Sequence, residues 1–313
     1  MVCVIGEALI DLVMEPAGAG VPSYLAHPGG SPFNVAIGLA RLGQHSQLLA
    51  RLSGDAFGGQ LRAHAQANGV DLSYVVDAPE SSTLAVVSLD ADRNASYDFY
   101  RTSTADWQWS ETELDRMPAD TSWIHTGSLA SWTEPGASVI AAQLRRRGGR
   151  PVVISYDPNI RPALLSDHAT TVGKIEAMVG LATVVKASAE DLGWLYPGVG
   201  TDDVLRRWRA LGPPAVVVTD GGHGARFSVG AGDIATVPAR PVEVVDTVGA
   251  GDAFMAGLIN ALANAGYRGG AIDIDAIRPA IAEAILVAAL TCARAGANPP
   301  TVAELRAEQG SLG

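Results

Sequence analysis

Seven short runs of this chain are apolar at almost every position: VCVIG (2–6), QLLARL (47–52), WIHTG (123–127), VVISYD (152–157), ATVVKA (182–187), AVVVTD (215–220) and ARFSV (225–229). Continuous rather than alternating hydrophobicity is the mark of strands buried on both faces. Between these runs lie stretches with helical periodicity, among them PFNVAIGLARLG (32–43), FGGQLRAHAQANG (57–69), GASVIAAQLRRRG (136–148) and DVLRRWRALG (203–212). Strand–helix alternation of this kind predicts a mostly parallel sheet covered by helices. The stretch from residue 250 on reads as helical, over 250–266 and 273–296.

One region breaks the alternation. TLAVVSLDADRNASYDFYR (83–101) reads as two strands about an Asp-Arg-Asn-Ala turn at 92–95. The second strand puts Tyr97, Phe99 and Arg101 on one face and Ser96, Asp98 and Tyr100 on the other. LIDLVME (9–15) and VPSYLAH (21–27) can join this hairpin in a small sheet. An inserted hairpin of this kind often forms a flap over a site. No repeat or long linker divides the chain, so the expectation is one domain over 1–313 with a discontinuous lid from about 12–27 and 83–102.

Composition narrows the function classes. With 48% hydrophobic and 18% charged residues, a large core is easily built. A formal net charge of −11 argues against general binding to nucleic acid or to anionic membrane. No window approaches the roughly 18 unbroken apolar residues of a membrane span. The opening MVCVIGEALIDL is interrupted by Glu7 and Asp11 and lacks a basic leader, so it reads as a core strand and not a signal peptide. Cys3 and Cys292 stand alone in apolar stretches, which predicts buried, inert thiols and a reducing, cytoplasmic setting. The six histidines show no metal-ligand spacing.

The strongest motif is VVDTVGAGDAFMAGLI (244–259). Gly249 and Gly251 directly precede a periodic helix, so the backbone can turn sharply and aim successive N–H groups at one point. The positive end of the helix dipole adds to that field. The loop is an anion hole built without a lysine. Asp252 falls in the first turn, where a carboxylate also serves as a cap. Ordinary capping would explain a lone G-x-G-D, but here the run extends to D-T-x-G-A-G-D, and Ala253, Ala256 and Gly257 keep the helix surface small enough for another element to approach. The lysine-bearing phosphate loop G-x-x-x-x-G-K-S/T is absent, and no G-x-G-x-x-G follows the first strand.

DTVGAGDAF resembles the C-terminal signature of the ribokinase-like (PfkB) carbohydrate kinases. GEALIDL (6–12), PGGSPFNVAIGLARLG (28–43) and RLSGDAFGG (51–59) resemble that family's N-terminal segments in the same order, so the resemblance spans about residues 3–305. It implies an α/β fold, a three-layer sandwich with a mostly parallel central sheet and a small β-sheet lid. It also implies an ATP-dependent kinase with Asp252 as base on the accepting hydroxyl, and with Gly249, Ala250 and Gly251 stabilising the transferred phosphoryl group. Asp246 resembles a monovalent-cation (K+) site, with a structural turn aspartate as the equal alternative. The strand-loop around Lys186, Ser188, Thr219, Gly221 and Gly224, with Asn298 near the last helices, would border the nucleotide. Magnesium is expected with ATP. One departure stands out. The family often has Asn-x-x-Glu where this chain has Ser188-Ala189-Glu190-Asp191, which leaves Glu190 as the carboxylate assigned to magnesium.

For the sugar, Asp11, Gly30 and Asn34 match family sugar-binding positions. FYRTSTAD (99–106) and DPNIRPALL (157–165) resemble runs of bacterial fructokinases, which adds Phe99, Arg101, Asn159 and Arg161, with Asp157 nearby. Read alone, Arg101 and Arg161 could equally be surface ion-pair residues. The resemblance points to phosphorylation of fructose to fructose 6-phosphate. 2-Keto-3-deoxygluconate kinase shares the D-P-N-x-R run and a lid arginine, and a non-catalytic sugar binder could use the same fold. Paired lids would allow a homodimer.

Overall fold

The computed structural model describes residues 1–15, 23–89, 95–147, 151–165, 167–230 and 233–310. Most of the turn expected at 92–95, and residues 16–22 of the expected lid, lie outside the described residues. The first half of the chain runs β1 (Val2–Ile5), β2 (Leu9–Met14), β3 (Tyr24–Gly29), α1 (Ser31–Arg41), β4 (Ser46–Leu49), β5 (Arg51–Ser53), α2 (Ala56–Ala67), β6 (Val76–Ala78), β7 (Leu84–Leu89), β8 (Ala95–Tyr100), α3 (Glu111–Leu114), β9 (Trp123–Gly127) and α4 (Gly136–Arg147). The second half runs β10 (Val153–Asp157), α5 (His168–Val179), β11 (Val184–Ser188), α6 (Ala189–Leu195), α7 (Thr201–Ala210), β12 (Ala215–Thr219), β13 (Ala225–Val229), β14 (Asp233–Val237), α8 (Ala250–Asn264), α9 (Ile274–Cys292) and α10 (Val302–Gly310).

The large sheet has eight strands in the order β14-β13-β12-β11-β10-β9-β1-β4. Every pair from β4 to β12 is parallel; β13 and β14 close one edge antiparallel. The continuous apolar runs are explained by cores on both faces. In β1, Val2 and Val4 join the cluster under α1, α2, α8, α9 and α10, while Cys3 and Ile5 join the cluster under α3 to α7. Helices on both sides of the sheet make the three-layer sandwich.

A second sheet of four strands, β3-β2-β7-β8, is the small sheet anticipated from residues 9–27 and 83–101. Chain segments just outside it are tied together. Asp106 accepts the Ala8 N–H at 2.9 Å, and the Thr83 and Thr104 hydroxyls meet at 2.6 Å.

Two expectations change. QLLARL is not one strand. Leu48 and Leu49 end β4, and Arg51 opens β5, which pairs with β6 in a separate two-stranded sheet. The buried Arg51 guanidinium needs acceptors that a sheet interior lacks, and it finds them in the Ala105 carbonyl, Glu80 and Glu113. Cys3 is buried, and burial pushes its thiol up to about 12. Cys292, by contrast, is only half-buried.

The small residues of α8 have the role read from the sequence. A Cβ on Gly257 would lie 2.9 Å from the Ala284 Cα in α9, and a Cβ on Gly38 of α1 would lie 2.7 Å from the Ala256 Cβ. α8 is thus seated between α1 and α9 at close range.

Candidate active site

The parallel strands carry their C-terminal ends toward one edge of the sheet, where open α/β folds bind ligands. Asp157 ends β10, and Lys186 and Ser188 lie at the end of β11. The N-terminus of α8 faces the same place. Its cap is Gly249 with φ 75, a left-handed conformation that glycine adopts without strain. A Cβ there would also fall 2.6 Å from the Ala297 Cβ, so the 296–298 segment closes on the loop. The first-turn N–H groups of a helix have no intrahelical acceptors, and here they include Gly251 and Asp252. The Ala250 N–H, one of the three amides expected in the cradle, is bonded to the Thr247 carbonyl at 3.2 Å.

Asp252 is buried in that first turn. Its Oδ1 accepts from Ser31 Oγ at 2.6 Å, and its Oδ2 accepts from Asn34 Nδ2 at 2.8 Å. Ser31 and Asn34 are three residues apart on α1, so both face α8. Burial raises the Asp252 carboxyl above its ordinary value, while Ser31, Asn34, Lys186 and Arg161 oppose that rise. Asp11, on β2 of the small sheet, is pushed up to about 6 by burial and by Asp252, against the pull of Arg161. Gly29, on the neighbouring strand β3, is spaceless by necessity: a Cβ would fall 2.2 Å from Asp11 Oδ2. Gly30 follows with φ 104. The fold therefore gathers Asp11, Gly30, Asn34, Arg161 and Asp252, which the sequence separates by more than two hundred positions.

The loop after β10 is organised by two carboxylates. Asp157 accepts the Asn159 N–H at 3.1 Å and the Lys186 ammonium at 2.8 Å. Asn159, at φ 41, accepts from Arg161 at 2.7 Å. Asp191 accepts the Ile160 N–H and the Ser188 N–H, each at 2.8 Å, and so caps α6 and clamps the loop at once. Arg101, just past β8, reaches the Leu164 carbonyl at 3.4 Å, linking the small sheet to this loop. Phe99 is half-buried against the α3–α7 core.

On the nucleotide side, Ser188 and Thr219 are register partners, and the Thr219 hydroxyl lies 3.4 Å from the Ala187 carbonyl. Gly221 opens the short 3-10 turn after β12, and Gly224 closes it with φ 97. A cleft of about 320 Å³ opens beside Asp220, Gly224 and Arg226, but Asp252 is not among its lining residues. Asn298 is half-buried, its N–H bonded to the Gly296 carbonyl at 2.8 Å.

The geometry adds to three readings of the sequence. The cradle is not without a lysine, because Lys186 reaches it from β11 and its Nζ stands 2.9 Å from where a Gly251 Cβ would be. The buried carboxylate of the Ser188–Asp191 segment is Asp191, whereas Glu190 is exposed. Asp246 spends one oxygen on the Val248 N–H at 3.0 Å and the other on the Gly296 N–H at 2.8 Å, as a turn aspartate does. Among the described residues no group of three or more acidic, histidine or cysteine side chains is placed to hold a metal ion. Magnesium is an ion that commonly binds through substrate phosphates rather than in an all-protein cage. Ser31 is a site residue that sequence reading missed; its signal was its place three residues before Asn34 on one helix face.

The profile of the pfkB family carbohydrate kinases matches residues 1–303. The chain belongs to this family. As a pfkB carbohydrate kinase, it is a phosphotransferase that acts on a sugar. It is 36% identical over 307 residues to a fructokinase of Salmonella typhimurium, covering 95% of this chain and 94% of that one. Its structure is similar to that of fructokinase with bound ATP from Xylella fastidiosa, with TM-score 0.90, 27% identity and coverage of 99% and 98%. A fructokinase from Vibrio cholerae O395, in a form with bound fructose, ADP and calcium ion, gives TM-score 0.84, 29% identity and coverage of 98% and 97%. No helix among the described residues is long and apolar enough to cross a membrane.

Proposed function

We propose that this pfkB kinase transfers the γ-phosphate of ATP to fructose, forming fructose 6-phosphate. The observation that carries the reading is the buried Asp252, held by Ser31 and Asn34 in the first turn of α8. A carboxylate there can take the proton of a hydroxyl placed in line with a phosphoryl group at the helix N-terminus. Because a carboxylate is a weak base for an alcohol, proton transfer comes late, after P–O bond formation has lowered the hydroxyl pKa. First-turn amides stabilise the charge on the moving group. Asp11, Gly30, Asn34, Asn159 and Arg161 would hold the sugar, with Phe99 and Arg101 from the small sheet acting as a lid. Ser188, Thr219, Gly221, Gly224 and Asn298 would border the nucleotide. ATP supplies the phosphoryl group and magnesium screens its charge. Fructokinase relatives support fructose over other sugars. The cytoplasm is the compartment that two unpaired cysteines fit, and a homodimer through the small sheets is compatible with the exposed Tyr24, Leu25 and Tyr100.

The test is ADP release with fructose, 2-keto-3-deoxygluconate, ribose and adenosine as acceptors. Fructose is expected to give the highest kcat/KM; a higher value with 2-keto-3-deoxygluconate would transfer the assignment to that acid. Asp252→Asn is expected to lower kcat by about 10²–10⁴-fold with fructose binding nearly intact. Lost binding with unchanged kcat would remove Asp252 from the role of base.

A further inference from the structure

The chain passes between the large sheet and the small sheet at four places: after β1, after β3, before β7 and after β8. All four passages meet at two buried carboxyl groups, Glu7 and Asp106, which are 0% and 1% exposed. The first passage contains Glu7 itself, and its Ala8 N–H is the donor held by Asp106 Oδ1. The second is Gly30, packed so tightly that a Cβ would fall 2.8 Å from the Glu7 carbonyl oxygen and 3.3 Å from the Ala8 Cα. The third ends in Thr83, whose hydroxyl meets that of Thr104 in the fourth. The Ala105 N–H of the fourth also bonds the Ser81 carbonyl of the third at 3.0 Å. Residues assigned to the sugar hang from these passages: Asp11 just beyond Ala8, Gly30 in the second, and Arg101 just before Asp106.

The charges at this junction do not balance. The Arg51 guanidinium acts on Asp106 but is already bonded to Glu80 and Glu113, so four carboxyl groups share it. Glu7 Oε2 accepts the Ala130 N–H at 3.0 Å, with the Ser128 hydroxyl beside it. Glu7 Oε1 and Asp106 Oδ2 are buried and have no hydrogen-bond partner among the described residues. An ionised oxygen left in that state costs the desolvation of its charge, and a proton removes the cost. Burial, with the charge of Asp106, pushes Glu7 up to about 7; burial pushes Asp106 up to about 6 against Thr83, Ala8 and Arg51. Asp55 holds the third passage through the Ser82 N–H and hydroxyl. Against its partial burial, Ser82 and Gly58 keep it below its ordinary value, so it stays ionised.

We propose that Glu7 and Asp106 are positioning residues for the sugar site, holding one proton between them that keeps the four passages packed and the small sheet closed over the acceptor. This rests on the sugar-kinase reading above. When the proton leaves, two buried carboxylates repel each other, and the passages part to let water reach them. Asp11 and Arg101 then move with the small sheet away from Asp252, so the sugar binds less well. The closed arrangement is favoured below the ordinary carboxyl values and loses that advantage as pH rises through 6 and 7.

The test is fructose affinity, measured by calorimetry so that no turnover is needed, at about pH 6 and about pH 9. The proteins are the parent, Glu7→Gln, Asp106→Asn and the double variant. The parent is expected to lose about tenfold or more in affinity over this range. Each amide keeps the shape and the N–H acceptor of the acid it replaces but does not ionise, so the variants should lose no more than about threefold. They should therefore bind fructose more tightly than the parent at the alkaline pH, a gain that lost packing does not produce. Asp11, Asp252 and the other titrating groups of the site are common to all four proteins and cancel in the comparison, for which any one folded variant suffices. A parent affinity that is flat with pH, or variants no tighter than the parent at alkaline pH, overturns the proposal. Should the parent bind no fructose, the fructose reading fails on its own, and amide hydrogen exchange at Ala8 and Ala105 decides. These amides should then exchange about tenfold faster in the parent than in the variants at alkaline pH, and equally fast at the acidic one. Equal rates at both overturn the proposal.

Discussion

In the role proposed for it, Asp252 acts as a base only when ionised, and its two hydrogen bonds bear on how much of it is. Both Ser31 and Asn34 pull its pKa down against the rise caused by burial. Ser31→Ala removes the shorter of the two, at 2.6 Å. The Asp252 pKa should then rise, leaving less carboxylate at a given acidic pH, and the acid limb of the kcat profile should move to higher pH. An unmoved limb would mean that Ser31 is packing alone. Asp252, Asp11 and Asn34 were legible in the sequence because each lies in a short ordered motif. Lys186 at the cradle was not, because no local pattern ties a lysine in one strand to a glycine loop far along the chain. Nor was the burial of Asp191 beside an exposed Glu190. Adjacent carboxylates look alike until helix phase buries one and exposes the other.

At the scale of elements, the seating of α8 decides where the site stands. Gly257 meets the Ala284 Cα and Val287 side chain of α9 so closely that a methyl group has no room. Gly257→Ala should therefore destabilise the protein by about 1–3 kcal/mol from overpacking, in spite of the better helix propensity of alanine. Thermal unfolding would register this as a Tm lowered by several degrees; a raised Tm would show that α9 can move aside. The strands of the large sheet could be read from the sequence almost to the residue where hydrophobicity was continuous, as in β9. α5 could not, since HATTVGKIEAMV carries glycine and β-branched residues that weaken helical propensity. The break of QLLARL at Ala50 was invisible for a different reason, namely that the acceptors drawing Arg51 away are supplied by distant Glu80, Ala105 and Glu113.

For the molecule as a whole, buried carboxyls link stability to pH. Burial pushes Glu7 up to about 7 and Asp11, Asp106 and Asp157 up to about 6, from ordinary values of 4.5 and 3.8. Their contribution to stability is complete below the ordinary values and is lost as pH rises through 6 and 7. Asp71 and Glu304 behave in the opposite sense. Hydrogen bonds to Ser73 and Gln47 hold Asp71 at about 2 in spite of its burial, and the Thr301 N–H and hydroxyl do the same for Glu304, so their contribution is lost as pH falls. Tm should accordingly be highest near about pH 4–5 and decline on both sides, with Glu7→Gln flattening the neutral side. A Tm that climbs steadily from acid to pH 8 would contradict this.

The contacts that hold Asp252 join residues 221 and 218 positions apart. During synthesis, the segment bearing Ser31 and Asn34 leaves the ribosome long before its acidic partner has been translated. A nascent chain can assemble most of its large sheet while possessing no chemistry at all. On the proposed mechanism, competence arrives only when the closing helices dock, and a chain lacking them transfers no phosphate.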